Sequence, residues 1–310
     1  MPIFQIKNSK FNKIKEKKLD YEKDLQKLVE RNLEEIFGLE FISGASNKQF
    51  IIKNREIDTL AFDPQAKSFV IVEFKKDKSF SIIDQGFTYL ALLLNNKADF
   101  VLHYNEMKNK NFRKSDIDWS QSRVIFITRE FTPYQKGAIG FRGLPIELWE
   151  AQCLESNLIS FAQIKPAETE ESITKVIKSP TIERVTQEVK TVTLEDHYRK
   201  ASPPIKSSLD KLRKRIFSLD ENIKEKPVMY YIGYKLNWFN FVSIHIFREK
   251  LKIEVRKQAL EKDREKRFTK YPASYGYGKT PLWWTYISKD TDLDYICEVI
   301  KESYEAAPDR

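Results

Sequence analysis

The chain has 310 residues with a formal net charge of +9, and 41% of its residues are hydrophobic. This length suits two domains, and this apolar content argues against a globally disordered chain. The positive charge favours a polyanionic partner, although a lysine-rich composition alone would produce the same balance. Two isolated cysteines and three histidines argue against a disulfide framework or a structural zinc site, and they fit a reducing cytoplasm.

The N-terminal stretch MPIFQIKNSKFNKIKEKK is interrupted by lysines throughout and has no apolar core of signal-peptide length. The longest apolar run, YLALLLNN, is too short to cross a bilayer. We therefore expect a soluble, cytoplasmic protein without a membrane partner.

Residues 1–164 are predicted to form a mixed α/β domain. Helical spacing of apolar residues predicts a first helix from Asp20 to Gly38, and SIIDQGFTYLALLLNN predicts a second, largely buried helix. A short helix is expected in FTPYQKGAIGF. Runs rich in β-branched and aromatic residues predict six strands: QFIIK, EIDTLAF, SFVIVEFK, DFVLHY, RVIFIT and LPIELWEA.

Residues 165–195 mix charged residues with Thr, Ser and Pro and contain no aromatic residue, which indicates a polar linker. The possibility that part of this linker is helical is left open. Residues 196–310 predict a smaller α+β domain in the order helix, antiparallel strands, helix. Within it, the stretch between residues 256 and 286 interleaves Lys and Arg with Tyr, Phe and Trp. That mixture suits phosphate contacts with base stacking, and it is equally typical of a charged surface beside core aromatics.

The strand SFVIVEFK ends in two charged side chains. Its residues 69–72 are apolar on both faces, which predicts a central strand, and Glu73 and Lys75 then share one face. Taken alone, this pair is typical of a simple ion pair at a strand end. Asp58, however, lies on the preceding strand, and an antiparallel hairpin would bring it near Glu73. Two converging carboxylates repel each other unless a cation lies between them, and oxygen ligands suit Mg²⁺ or Mn²⁺.

The pattern of Asp58 and E-F-K, separated by fourteen residues, resembles the PD-(D/E)xK nuclease superfamily over roughly residues 20–150. Gln85 and Tyr89, four apart on the following helix, resemble its NucS-like branch, whose members cut DNA. Ile57 stands in place of the motif's proline, as is common in that branch. The C-terminal domain resembles an uncharacterised module often fused to such nucleases.

This resemblance implies a restriction-endonuclease-like mixed sheet flanked by helices. It implies that Asp58 and Glu73 bind Mg²⁺ or Mn²⁺, that Lys75 assists catalysis, and that Gln85 belongs to the catalytic set. An acid on the first helix is also expected in that set. Glu22 is favoured because it falls within the apolar stripe, and Glu30, on its flank, is the alternative.

Lys76, Lys78 and Tyr89 are expected to contact nucleic acid. The function predicted is a metal-dependent nuclease that hydrolyses phosphodiester bonds in DNA, including branched or single-stranded forms, and a homodimer is left open. The alternative is a nuclease-fold DNA-binding or regulatory module without cleavage of its own.

Overall fold

A computed structural model describes residues 3–17, 22–75, 81–141, 144–165, 173–189, 192–272 and 279–308, without the side chains of Glu22, Lys175 and Val176. The chain divides into two compact units. The first comprises residues 1–63 and 67–189, and the second comprises residues 64–66 and 190–310.

The first unit combines α-helices with β-strands. Its helices are α1 (Glu22–Arg31), α2 (Leu33–Phe37), α3 (Ile82–Asn95), α4 (Lys97–Lys108), α5 (Pro133–Ala138), α6 (Ile173–Val176) and α7 (Pro180–Glu188). Its strands are β1 (Ile3–Lys7), β2 (Lys10–Ile14), β3 (Glu40–Gly44), β4 (Phe50–Ile52), β5 (Arg55–Ile57), β6 (Thr59–Asp63), β7 (Ser68–Lys75), β8 (Arg123–Thr128), β9 (Ile146–Leu154) and β10 (Leu158–Gln163).

A six-stranded mixed sheet forms the centre of this unit, in the order β10-β9-β8-β7-β6-β3. Strand β7 is parallel to β8 and antiparallel to β6, so it lies inside the sheet. Residues 69–72 of β7 are fully buried, as a strand that is covered on both faces requires. The predictions of a mixed α/β domain and of a central strand at residues 68–75 are confirmed.

Helices cover both faces of the sheet. Because side chains alternate along a strand, Val70, Val72 and Phe74 pack with α1 and α2 on one face. Phe69 and Ile71 pack with α3, α4 and α7 on the other. Glu73 and Lys75 continue this second series, so the strand delivers them to the side occupied by α3.

Local signals explain where the helices near the sheet begin and end. Ser81 caps α3, since its hydroxyl accepts a hydrogen bond from Asp84 N. Gly38 ends α2 with φ of 66°, a left-handed conformation that favours glycine. The predicted helix from Asp20 to Gly38 is interrupted at Asn32, which separates α1 from α2.

The prediction of a strand at DFVLHY is wrong, because these residues lie within α4. Phe100, Val101 and Tyr104 are buried at helical spacing, whereas Leu102 is exposed. The aromatic and β-branched residues resemble a strand locally, but packing against the sheet selects the helix.

The structure also differs from the predictions in where some elements begin and end and in which short elements are present. The predicted strand at 56–62 is divided by Asp58 into β5 and β6, and β1, β2 and β10 were not predicted. The predicted linker at 165–195 contains α6 and α7, and Ile182 and Val185 of α7 lie in the first unit's core.

The second unit is an antiparallel sheet with helices. Its helices are α8 (Leu194–Tyr198), α9 (Pro203–Phe217) and α10 (Leu293–Glu305). Its strands are β11 (Lys224–Pro227), β12 (Ile232–Leu236), β13 (Phe239–Ile246), β14 (Leu251–Arg256), β15 (Thr269–Lys270) and β16 (Leu282–Ile287). The sheet order is β11-β12-β13-β14-β16-β15, and apolar residues of its inner strands form one core with α9 and α10.

None of the helices in the described ranges combines the length and the apolar character needed to cross a membrane.

Candidate active site

The hairpin of β6 and β7 brings Asp58 opposite Glu73. Thr59 pairs with Val72 in the antiparallel register, so the preceding residue, Asp58, reaches the level of Glu73. Phe74 N donates a hydrogen bond of 2.9 Å to Asp58 Oδ2, which fixes this carboxylate against β7. The two carboxyl groups are close enough for the charge of Asp58 to raise the pKa of Glu73.

Glu73 is almost completely buried, with 3% of its surface exposed. Its Oε1 accepts hydrogen bonds from Lys75 Nζ (2.7 Å) and from Tyr89 Oη (2.9 Å). Its Oε2 is buried and has no hydrogen-bond donor among the residues that the structure describes. A buried carboxylate oxygen without a donor is costly, so it indicates a proton or a cation at this position.

The pKa values of Asp58 and Glu73 also indicate a proton or a cation at this position. Burial, followed by the charge of Asp58, raises the pKa of Glu73 to about 7, against the opposing effects of Lys75 and Tyr89. Burial also raises the pKa of Asp58, although the Phe74 N–H and Lys75 oppose it. Two ionised carboxylates in this position therefore carry more negative charge than their surroundings neutralise.

Helix α3 contributes two polar side chains, one turn apart. Tyr89 donates to Glu73, and burial, followed by the charge of Glu73, raises the pKa of the phenol, so it remains a donor. Gln85 Oε1 is buried and accepts no hydrogen bond within the described ranges. An amide oxygen is a ligand or acceptor of the kind that a hydrated divalent cation uses.

Glu30 occupies a different environment, on the α1 side of the sheet. It is 3% exposed, and its carboxylate accepts from Gln26 Nε2 (3.0 Å), Thr59 Oγ1 (2.6 Å), Ala45 N (2.9 Å) and Ser46 N (2.7 Å). Four donors satisfy this carboxylate, so it acts as a structural acceptor that ties α1 to the end of the sheet.

This network also supports the backbone of Asp58. Gln26 Nε2 donates to Asp58 O at 2.6 Å while it contacts Glu30. Gly44 lies at the same place, where an added Cβ would be 2.1 Å from Glu30 Oε1 and 2.8 Å from Asp58 O. Only a residue without a side chain allows Glu30 and the Asp58 backbone to approach each other here.

Hydrogen bonds thus join Glu73 to Lys75 and Tyr89 and hold Asp58 against the same strand, with Gln85 one helical turn from Tyr89. Glu22 begins α1, but its side chain lies outside the described residues, as do Lys76 and Lys78, and their assignments stay predictions.

Sequence reasoning missed the supporting roles of Gln26, Thr59 and Gly44. The spacing of Gln26 and Glu30, four residues apart on one helix, was a usable signal for a side-chain pair. No local signal identifies Gly44, because its constraint comes from residues distant in sequence.

A divalent cation fits the residues at Asp58 and Glu73. Within the described ranges, no three His, Cys, Asp or Glu side chains converge to hold a metal ion. The two carboxylates would therefore need oxygen ligands from the backbone, water or a substrate, which is the pattern that Mg²⁺ commonly shows.

Comparison with known proteins gives matches without an assigned activity. Residues 194–307 match the family model described as "Domain of unknown function (DUF5655)". A Haemophilus influenzae protein described as "Uncharacterized protein" is 34% identical over 304 residues, which cover 98% of this chain and 99% of that protein. No solved structure matches the chain.

Proposed function

The chain belongs to one family with the uncharacterised Haemophilus influenzae protein over almost its full length, and we propose that it is a metal-dependent nuclease that hydrolyses phosphodiester bonds in DNA. One observation carries this proposal. Glu73 presents a buried carboxylate oxygen without a donor in the described structure, beside the Asp58 carboxyl and next to the Lys75 ammonium. Two neighbouring carboxylates that can hold a divalent cation, with a lysine beside them, suit metal-dependent hydrolysis of a phosphodiester bond.

Asp58 and Glu73 would hold Mg²⁺ or Mn²⁺. The pKa values of both carboxyl groups are raised because ionising them in this site is unfavourable, and a bound cation would offset that cost. When bound, the cation supplies Lewis-acid stabilisation of the charge on the phosphate oxygens and activates water. The Phe74 N–H holds the Asp58 carboxylate and the Tyr89 hydroxyl holds that of Glu73, so the ligands are positioned before the cation arrives.

Lys75 places a positive charge at the rim of the same site. Its Nζ lies 2.7 Å from Glu73 Oε1, and 23% of its side chain is exposed, so it is accessible from solvent. From this position it would orient the attacking water and stabilise negative charge that develops on the phosphate. Gln85 Oε1 adds a buried acceptor that could hold a proton of that water.

The mixed sheet supports the finer proposal of a restriction-endonuclease-like fold. Its β6–β7 hairpin and its following helix α3 deliver the acids, the lysine and the Gln–Tyr pair to one face. DNA is proposed as the substrate because the NucS-like motif points to it and the net charge of +9 favours a polyanion.

The test is a cleavage assay on duplex, single-stranded and branched DNA with Mg²⁺ or Mn²⁺, run beside metal titration by calorimetry. Asp58→Asn should abolish cleavage and weaken metal binding together, because it removes a ligand charge. Lys75→Ala should retain metal binding, because loss of a nearby positive charge does not harm a cation site. It should still slow the chemical step by about a hundred- to ten-thousand-fold.

Lys97→Ala is the matched control for Lys75→Ala. Lys97 is also paired with a glutamate, Glu188, and its side chain is 29% exposed, but it lies at the start of α4. This variant should cut at the wild-type rate. If the wild-type protein binds DNA but cuts none of the substrates with either metal, the alternative of a non-cleaving DNA-binding module replaces the nuclease.

A further inference from the structure

One face of the second unit's sheet carries aromatic and basic side chains. Alternation along the strands sends Ile244 of β13 and Ile253 of β14 into the core with α9 and α10. The neighbouring positions on the opposite face are His245, Lys252 and Glu254. We call this opposite face the aromatic face. It also includes Trp284 and Tyr286 of β16 and Phe247 and Lys250 of the turn between β13 and β14.

Aromatic rings form a connected group on this face. Trp284 and Tyr286 are two residues apart on β16, with ring centroids 5.4 Å apart. Tyr286 also contacts Phe247 at 6.2 Å, and Trp284 contacts Tyr271 at the same distance. Tyr286 is 46% exposed and Phe247 is 43% exposed, so parts of these rings remain accessible.

Lysines are interleaved with the rings. Lys250 Nζ lies 3.8 Å from the centroid of Tyr286, and Lys252 Nζ lies 5.3 Å from that of Trp284. Among the strand positions of this face that the structure describes, Glu254 is the one carboxylate, and it is 6% exposed. It is held by Lys252 at 2.9 Å and His245 at 3.1 Å, so its charge is neutralised within the protein.

We propose that the aromatic face binds single-stranded DNA, with bases stacked on Tyr286 and its neighbouring rings and phosphates held by Lys250. The occupant follows from charge and shape together. Lys250 is exposed and suits an anionic partner, and the exposed parts of the Tyr286 and Phe247 rings suit unpaired bases, which every single strand offers. Duplex DNA keeps its base faces stacked internally, and an acidic peptide lacks planar groups at regular spacing.

The choice of DNA rests on the proposed nuclease function, whereas the stacking surface rests on the second unit alone. Binding measured without metal does not require hydrolysis, so the two proposals fail separately.

Fluorescence anisotropy of a labelled oligothymidylate, with the full-length protein in EDTA, tests the proposal. Tyr286→Ala should weaken binding by about 5- to 150-fold, the range expected for loss of one stacked base. Tyr286→Phe keeps the ring and should bind as the wild type does. The logarithm of the binding constant falls as the logarithm of the salt concentration rises. Lys250→Ala should make this negative slope shallower by about 0.7, because one phosphate contact to a single strand is lost.

Two controls lie on the helix side of the same unit. Phe217 of α9 is 40% exposed, similar to Tyr286, and Lys301 of α10 is exposed. Phe217→Ala and Lys301→Ala should leave the affinity unchanged. Thermal unfolding of each variant shows that the unit remains folded.

Two probes separate stacking from charge. An abasic oligonucleotide of equal length should bind at least several-fold more weakly than the oligothymidylate, and so should a duplex. Equal affinity for the abasic probe, equal affinity for the duplex, or an unchanged affinity of Tyr286→Ala would each overturn the proposal. If the wild-type protein cleaves DNA and any of these results is found, the proposed single-strand binding is wrong and the proposed nuclease function stands.

Discussion

Replacing Glu73 with glutamine should stabilise the metal-free protein at pH 8 and change its stability little at pH 5. The folded-state pKa of Glu73 is raised from an ordinary 4.5 to about 7, by burial and then by the charge of Asp58. Between these two pH values the folded protein holds a proton that the unfolded chain has released. Stability therefore falls as the pH rises from about 4.5 to about 7, and the loss is complete above that range.

The size of the effect follows from the shift. One pKa unit corresponds to about 1.4 kcal/mol, so ionising Glu73 in the folded protein costs about 3 kcal/mol. The favourable contacts with Lys75 and Tyr89 are already contained in that shift. Glutamine resembles the protonated acid and avoids this cost. For a unit of this size, about 3 kcal/mol corresponds to a rise in Tm of about 6–12 °C.

Differential scanning calorimetry in EDTA at pH 5 and pH 8 measures this difference. Saturating Mn²⁺ at pH 8 should raise the Tm of the wild type and not that of Glu73→Gln, because only the wild type retains the ligand charge. A variant that is equally or less stable than the wild type at pH 8 would refute the reasoning.

Glu30→Gln is the matched control, because it makes the same chemical change in a second buried carboxylate. Glu30 is satisfied by four donors, two of them backbone N–H groups. An amide cannot accept all of these hydrogen bonds, so this variant should lose about 1–3 kcal/mol at both pH values.

Three further changes test the surroundings of these groups. Gly44→Ala should lose about 1–3 kcal/mol in urea unfolding and reduce cleavage, because its Cβ would lie 2.1 Å from Glu30 Oε1; wild-type stability would contradict this. Tyr89→Phe removes a donor to the ionised form of Glu73, so the pH midpoint of Mn²⁺ binding by calorimetry should rise, and an unchanged midpoint would exclude this role. The pKa of Glu254 is lowered to about 2, since its contacts with histidine and lysine outweigh burial. Its ionised form therefore contributes about 3 kcal/mol above pH 4.5, which is lost as the pH falls towards 2, so Glu254→Gln should destabilise at pH 7 but not near pH 2 in urea unfolding.

The sequence by itself determined the parts of the candidate site that depend on short-range periodicity. The strand at residues 68–75 was predicted with the bounds that the structure shows, and Glu73 and Lys75 share the expected face. Asp58 reaches Glu73 because a hairpin pairs residues close in sequence, and the alternation of side chains has a period of two. The position of Gln85 and Tyr89 on one side of α3 follows equally from helical spacing.

Only the tertiary structure decided which elements surround that strand. DFVLHY has the composition of a strand, yet it forms part of α4, because burial of Phe100 and Tyr104 against the sheet outweighs a weak local preference. The burial of Glu30 depends on backbone donors at residues 45 and 46 and on Thr59, which the chain brings together only after the sheet has formed. Periodicity encodes which face a residue occupies, but the hydrogen bonds that satisfy a buried charge come from segments whose proximity no local pattern specifies.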